Sequence, residues 1–393
     1  MTIDFDQVIA PMARAEFLRD YWDKSFVRIP GMPGRFADLL RWDELNAILE
    51  QHRLMPPRLK LFQNGQAVDP QRFLTPAMFG VPRLDAGGLA ACLAQGATLI
   101  LDDVQEIAPR VQALMHTFQD VMHTDTYANL YASWHGQNGF DLHWDPVPAF
   151  ILQLVGRKRW QVFGPTRKHP LEGDEQSSRP TGAPLWDGIL EDGDTLYIPR
   201  GWWHVAFPIN EPSLHLTVSP TLPNGIDFLG WAIRKLRAQE DARANLPVLT
   251  GTAALAAQAK KLRGLMDEVL TGDSATEFLR EWQANIRPTP RIRLQDMPYR
   301  QGAAVEPESR VRLAALNRLF LTPDGANFAF KAAGRSWSVP AELAEALGML
   351  TNTRAFSVAE LSAKVSGPAA LANLQQAIGV LARGGVVLIE GSD

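Results

Sequence analysis

Between about Asn129 and Pro220 the chain is a succession of short runs rich in Val, Ile, Leu, Trp and Phe, separated by Gly, Pro and Asp. Several short strands at such spacing imply an antiparallel sandwich or barrel. Phe150 to Val155, the turn residues Gly156-Arg157-Lys158 and then Arg159 to Phe163 read as a hairpin. Thr195 to Ile198 and Leu214 to Val218 read as two further strands.

The flanks have a different texture. Met12 to Tyr21 reads as a short amphipathic helix, Ser25 to Gly31 as a strand stopped by Pro-Gly, and Val104 to Val121 as a helix with one buried face. After Pro223 the period is helical again. Phe228, Leu229, Ile233 and Leu236 form one stripe, and Ala253 to Leu270 and Ser274 to Ile286 predict two more helices. Arg287-Pro288-Thr289-Pro290 then marks a boundary. The last segment predicts helices at Val311 to Phe320, Pro340 to Leu347, Val358 to Lys364 and Ala369 to Ala382. Strands are predicted at Phe328 to Lys331, Ser336 to Val339 and Val386 to Glu390, a mixture that resembles a winged helix.

A chain of 393 residues is long enough for two or three domains. Its net charge of -4 argues against a general nucleic-acid binder, with Arg287, Arg291, Arg293 and Arg300 as the best local basic residues. Direct nucleic-acid binding stays open on the sequence. A single cysteine, Cys92, excludes an intrachain disulfide and a cysteine-based zinc site. No apolar run suits a membrane span, the first residues lack a signal-peptide pattern, and a reducing cytoplasm is the expected location.

Two segments carry the chemistry. Phe140-Asp141-Leu142-His143-Trp144-Asp145 and Gly193-Asp194-Thr195-Leu196-Tyr197-Ile198-Pro199-Arg200-Gly201-Trp202-Trp203-His204 together offer two imidazoles and one carboxylate. Residues two apart on a strand share a face, so His143 and Asp145 can aim together while Trp144 points away. Pro199 and Gly201 interrupt the second strand just before His204, as irregularities at barrel rims do. Two neutral imidazoles and a carboxylate hold Fe(II) on one face and leave positions open for substrate and oxygen. The same atoms suit a catalytic zinc, so the triad alone does not choose the metal. His-X-Asp is a weak pattern by itself, since His143 could be a packed histidine and Asp145 a cap on the turn into Pro146.

The block from Tyr131 to Pro220 resembles the catalytic core of JmjC-type, cupin-fold 2-oxoglutarate oxygenases. The resemblance rests on His143-Trp144-Asp145, Gly156-Arg157-Lys158-Arg159-Trp160 and the Gly193 to His204 segment in that order. Ser213-Leu214-His215-Leu216-Thr217-Val218-Ser219 resembles the strand after the distal ligand in the ribosomal-oxygenase branch, and Phe17 to Arg28 resembles that branch's N-terminal opening. The resemblance implies a mainly β chain with helical additions. Its core would be a double-stranded β-helix (jelly-roll) in a catalytic domain over residues 1–222. A helical dimerisation region at 223–290 and a winged-helix-like domain at 291–393 would follow.

It further implies His143, Asp145 and His204 as iron ligands and Lys158 as the basic residue for the far carboxylate of 2-oxoglutarate. Bacterial arginine hydroxylases of this branch carry arginine there, so lysine is closer to the histidine and asparagine hydroxylases. Tyr131 and Ser133 would donate hydroxyls to the same carboxylate, and His215 would line the iron or cofactor pocket without being a fourth ligand. The implied cofactors are Fe(II), 2-oxoglutarate as cosubstrate and O2. The implied reaction is hydroxylation of a side-chain carbon in a protein, chiefly a ribosomal protein, by a homodimer. Lysine demethylation, a small-molecule cupin hydroxylase and a non-catalytic cupin with a winged helix are the alternatives.

Overall fold

Alternation of buried and half-buried residues from Thr126 to Ala132, in the strand Thr126–Ser133, marks one face that meets a core while the other faces a cavity. The computed structural model describes residues 3–75, 82–135, 138–285, 305–314, 318–333, 335–352 and 354–390. The chain forms two units, Met1–Thr221 and Leu222–Asp393.

The strands of the first unit are β1 (Val27–Ile29), β2 (Leu59–Gln63), β3 (Gln66–Ala67), β4 (Leu74–Thr75), β5 (Arg83–Leu84), β6 (Thr98–Leu101), β7 (Thr126–Ser133), β8 (Ala149–Val155), β9 (Lys158–Val162), β10 (Trp186–Leu190), β11 (Thr195–Ile198), β12 (His204–Pro208) and β13 (Ser213–Pro220). Eight of them make one sheet in the order β1-β11-β8-β13-β7-β6-β2-β3, and three make a second in the order β10-β9-β12. This is the two-sheet jelly roll expected. Between the sheets lie Ala149, Ile151, Trp160, Val162, Leu190, Leu196 and Ile198.

The helices Phe5–Ile9, Arg14–Asp20 and Pro109–Met122 supply apolar side chains to the other face of the large sheet. There Phe5, Phe17, Phe118, Phe150 and Tyr197 meet at ring separations of 4.9 to 6.1 Å, mostly edge to face. A second tie joins the N-terminal segment to the jelly roll. The buried Asp194 accepts from Arg28 Nη2 at 2.7 Å, Gly31 N–H at 2.8 Å and Glu191 N–H at 3.1 Å. Gly193 makes this approach feasible, because a Cβ there would lie 2.0 Å from the Met32 carbonyl oxygen.

Two readings of the first unit are corrected. The segments predicted as a hairpin are both strands, β8 and β9, but they do not pair with each other. β8 already has β11 and β13 on its two edges, so β9 joins β10 and β12 in the other sheet. The turn residues act as a step between sheets. Gly156, at φ +69°, passes so close to the next connection that a Cβ would meet the Pro212 carbonyl at 2.1 Å. In addition, His143 to Asp145 is not a strand: His143 makes a single bridge to His204. β2 and β6, which no pattern in the sequence announces, widen the large sheet beyond β7.

In the second unit the helices Gly225–Leu236, Thr252–Val269 and Ser274–Ala284 lie where helices were expected. The stripe expected on the first of them is split. Trp231 and Leu236 are buried, whereas Ile226, Leu229 and Ile233 are 62%, 44% and 58% exposed. The predicted helix Val311 to Phe320 is instead the strand Arg310–Leu313, with residues 315–317 outside the described set. Val311 and Leu313 are fully buried and Arg310 is exposed, a period of two that fits between the strands Phe356–Ser357 and Val387–Glu390. The hairpin strands Asn327–Ala332 and Arg335–Pro340 and the helices Val358–Ser362 and Pro368–Arg383 match their expected places. The Arg287–Pro290 boundary and the arginines at 287, 291, 293 and 300 lie outside the described residues. Among the described residues, no helix is long and apolar enough to cross a membrane.

Candidate metal centre

His204 opens β12, and its backbone pairs with that of His143 in both directions, at 2.7 and 3.2 Å. Asp145 is fixed from the same side, its carbonyl accepting from Gly201 N–H at 2.9 Å. Gly201, at φ +81°, permits the turn that makes this bond, because a Cβ would sit 2.5 Å from the Pro170 ring. Trp144 points away from the site, as expected, into a small cluster with Phe163 and Trp203. The Gln176 side-chain amide donates to the Trp144 carbonyl at 2.9 Å and secures that turn of chain.

These constraints bring one ligand atom from each of His143, Asp145 and His204 within 4.8 Å of one another. His204 Nε2 lies 3.5 Å from one Asp145 oxygen, and His143 Nε2 lies 4.0 Å from the other. Those spacings leave room for an ion between the atoms.

The opposite ring nitrogens are already committed. His143 Nδ1 donates to the Asp141 carbonyl at 2.7 Å and His204 Nδ1 to the Trp202 carbonyl at 3.0 Å. With Nδ1 as the donor, each Nε2 presents its lone pair toward the carboxylate, the arrangement that metal-binding histidines use. Burial, reinforced by the neighbouring His143 and opposed by Asp145, pushes His204 down to about 4. It is therefore neutral at ordinary pH, as a ligand must be. Two imidazoles and a carboxylate meeting in this way form a three-donor face consistent with Fe(II).

Beside the triad lies a cavity of about 180 Å³ whose wall includes Thr98, Tyr131, Phe140, Lys158, Trp160, His215 and Thr217. Strand alternation on β9 turns Lys158 inward and its neighbours outward. Arg157 pairs with Glu211 at 2.9 Å, and Arg159 Nε bonds Asp187 at 2.7 Å. Lys158 is 4% exposed and has no carboxylate partner among the described residues, and burial lowers it to about 7. His215 is pushed well below its usual value by burial and by the nearby Lys158 charge. Its ring stacks on Tyr131 at 4.8 Å with 1° between planes, and Trp160 meets it edge-on at 5.5 Å.

Four buried polar atoms here have no hydrogen-bond partner among the described residues: Thr98 Oγ1, Ser133 Oγ, Trp160 Nε1 and His215 Nδ1. The structure thus gathers His143, Asp145, His204, Lys158, Tyr131 and His215 around one cavity. Ser133 is buried on the same strand as Tyr131 but is not part of the cavity wall. Thr98 went unnoticed in the sequence. Its signal was a lone hydroxyl opening the apolar run Thr98-Leu99-Ile100-Leu101 on a strand that was not anticipated. His135 and His169 are both exposed.

Residues 104–228 match the JmjC domain family. Over 222 residues, 54% of this chain, the sequence is 31% identical to the bifunctional lysine-specific demethylase and histidyl-hydroxylase NO66 of Drosophila persimilis, covering 31% of that protein. It is 30% identical over 233 residues, 57% of this chain, to ribosomal oxygenase 1 of Gallus gallus, covering 38% of it. The chain therefore spans about a third of the length of these curated relatives. Among solved structures, the ribosomal oxygenase YcfD from Escherichia coli superimposes with a TM-score of 0.61 at 19% identity, covering 97% of this chain and 99% of that one. YcfD has also been solved in complex with cobalt and 2-oxoglutarate, and that form gives a TM-score of 0.61 at 18% identity, covering 97% and 99% of the two chains.

Proposed function

We propose that this chain, a JmjC-domain protein with the ribosomal-oxygenase fold, is an Fe(II)- and 2-oxoglutarate-dependent oxygenase that hydroxylates a side-chain carbon of a protein. A ribosomal protein is the proposed target. The observation that carries the reading is the convergence of His143, Asp145 and His204 beside a buried lysine that has no counter-charge among the described residues. An unpaired ammonium in such a place is costly, and a dicarboxylate cosubstrate supplies the missing partner.

In this reading His143, Asp145 and His204 hold the metal, and their carbonyl-bonded Nδ1 atoms keep both imidazoles in the ligating tautomer. Lys158 takes the far carboxylate of 2-oxoglutarate. Tyr131, Ser133 and His215 are proposed to orient it, since Ser133 Oγ and His215 Nδ1 are polar atoms that the described protein leaves unsatisfied. Thr98 Oγ1 has the same need from the opposite strand. Bound iron, with 2-oxoglutarate and O2, supplies the oxidising power to place one oxygen atom on an unactivated carbon. The protein's part is to position that carbon and exclude competing reactions.

The exposed row Ile226, Leu229 and Ile233, at three- and four-residue spacing, supports a homodimer built on the helix Gly225–Leu236. The test of function is conversion of 2-oxoglutarate to succinate by the iron-loaded protein, matched by the gain of one oxygen atom on a single ribosomal protein. His143→Ala and Asp145→Ala should abolish both. Turnover that survives in those variants, or formaldehyde release without oxygen gain, would count against protein hydroxylation.

A further inference from the structure

His143 reaches the site on a connection, residues 138–142, that belongs to no strand. That connection is gripped by the β2–β3 hairpin, which lies on the far side of β6 and touches no proposed metal ligand in sequence. Asn64 N–H donates to the Asn138 carbonyl at 3.0 Å, and Gly65 N–H donates to the Gly139 carbonyl at 2.9 Å. Just before the turn, Phe62 packs on Phe140 with ring centroids 4.6 Å apart. Phe140 in turn packs on the His143 ring at 5.6 Å. At the end of the connection stands the Asp141 carbonyl that accepts from His143 Nδ1.

The hairpin is suited to this work because it is stiff. Asn64 at φ +52° and Gly65 at φ +76° make the left-handed two-residue turn whose twist matches its strands. β2 is then zipped along β6 through four residue pairs, so the turn is fixed to the large sheet. The fit against the loop is close. A Cβ on Gly65 would lie 2.9 Å from Asp141 Cγ, and one on Gly139 would lie 2.8 Å from Thr98 Cβ.

We propose that the β2–β3 hairpin, through Phe62 and the Asn64-Gly65 turn, is the positioning element that holds His143 ready for the metal. This inference rests on the metal-centre reading above and adds the part of the chain that pre-orders it. Without the hairpin the connection must be ordered when the metal binds, and that conformational entropy is subtracted from affinity.

The test measures Co(II) affinity of the metal-free full chain by chelator competition, alongside its visible Co(II) spectrum and its thermal midpoint without metal. Phe62→Ala, and separately Gly65→Val in the exposed turn, are expected to weaken Co(II) binding by about tenfold or more, the scale of losing a partner that orients a ligand. Both should also alter the Co(II) spectrum. Phe62→Leu, which keeps an apolar group under Phe140, should recover most of the affinity. A purely structural hairpin would lower the thermal midpoint and leave affinity and spectrum at wild-type values, and that result overturns the proposal. If the wild type itself fails to bind Co(II), or binds it equally well as His143→Ala, the metal-centre reading falls and this inference falls with it.

Discussion

Replacing Lys158 with methionine keeps the length of the side chain and removes its charge, and the consequence for stability can be worked out. The wild-type amine is 4% exposed, unpaired among the described residues, and lowered by burial from 10.5 to about 7. At about 1.4 kcal/mol per pH unit, holding it protonated inside the metal-free protein costs roughly 5 kcal/mol relative to the unfolded chain. The sign follows from proton counting. Below pH 7 both states carry the proton and the whole penalty applies. Between about 7 and about 10.5 only the unfolded chain keeps it, so the penalty shrinks as pH rises.

Lys158→Met should therefore be more stable than the wild type at pH about 6, by several kcal/mol, with a gap that narrows toward pH about 9. Urea denaturation of the two metal-free proteins measures this, because titrating groups that Lys158 does not influence cancel in the difference, and His215 is held well below its usual value by burial first. The same substitution should remove stabilisation by 2-oxoglutarate, whose binding to the wild type should weaken about tenfold per pH unit above 7. A gap that does not depend on pH, or a variant less stable throughout, would refute the view that Lys158 is a buried and uncompensated charge.

Three further outcomes follow from the packing. Asp194→Ala strands Gly31 N–H, Glu191 N–H and the Arg28 guanidinium, and should cost about 3 kcal/mol in denaturant unfolding. Gly156→Ala places a Cβ 2.1 Å from the Pro212 carbonyl oxygen at a positive φ, and should lower stability by about 2 kcal/mol or more on the same assay. Ile226→Asp with Ile233→Asp should convert the proposed homodimer to a monomer by sedimentation, with little change in thermal midpoint, because both side chains are exposed in the single chain.

An all-β core was legible because it rests on local signals, whereas the jelly roll and the ligand set came from the family resemblance of the segments around His143, Asp145 and His204. Period-two runs name the strands, and His143, Asp145 and His204 are the residue types that iron chemistry needs. Lys158 was legible only through the family resemblance, since its place beside Arg157 and Arg159 in an expected turn does not single it out. What was not legible depended on partners distant in sequence. Nothing in Phe150 to Phe163 says that the edges of β8 are already filled by β11 and β13, so the hairpin reading was natural and wrong about pairing. The apolar residues Val311 and Leu313 suit either element, and two flanking strands decide for β over Arg310–Leu313. The grip of Asn64 and Gly65 on the loop before His143 spans more than seventy residues of chain and leaves only an Asn-Gly turn as its trace.

The most direct measurement is anaerobic titration of Fe(II) into the metal-free protein with 2-oxoglutarate present, followed by the visible charge-transfer absorption of the iron-keto-acid chelate. One iron per chain, with the absorption lost in His143→Ala, Asp145→Ala and His204→Ala, is the result expected. Iron bound with wild-type affinity in any of those three variants, or bound in the wild type without the absorption, would contradict it.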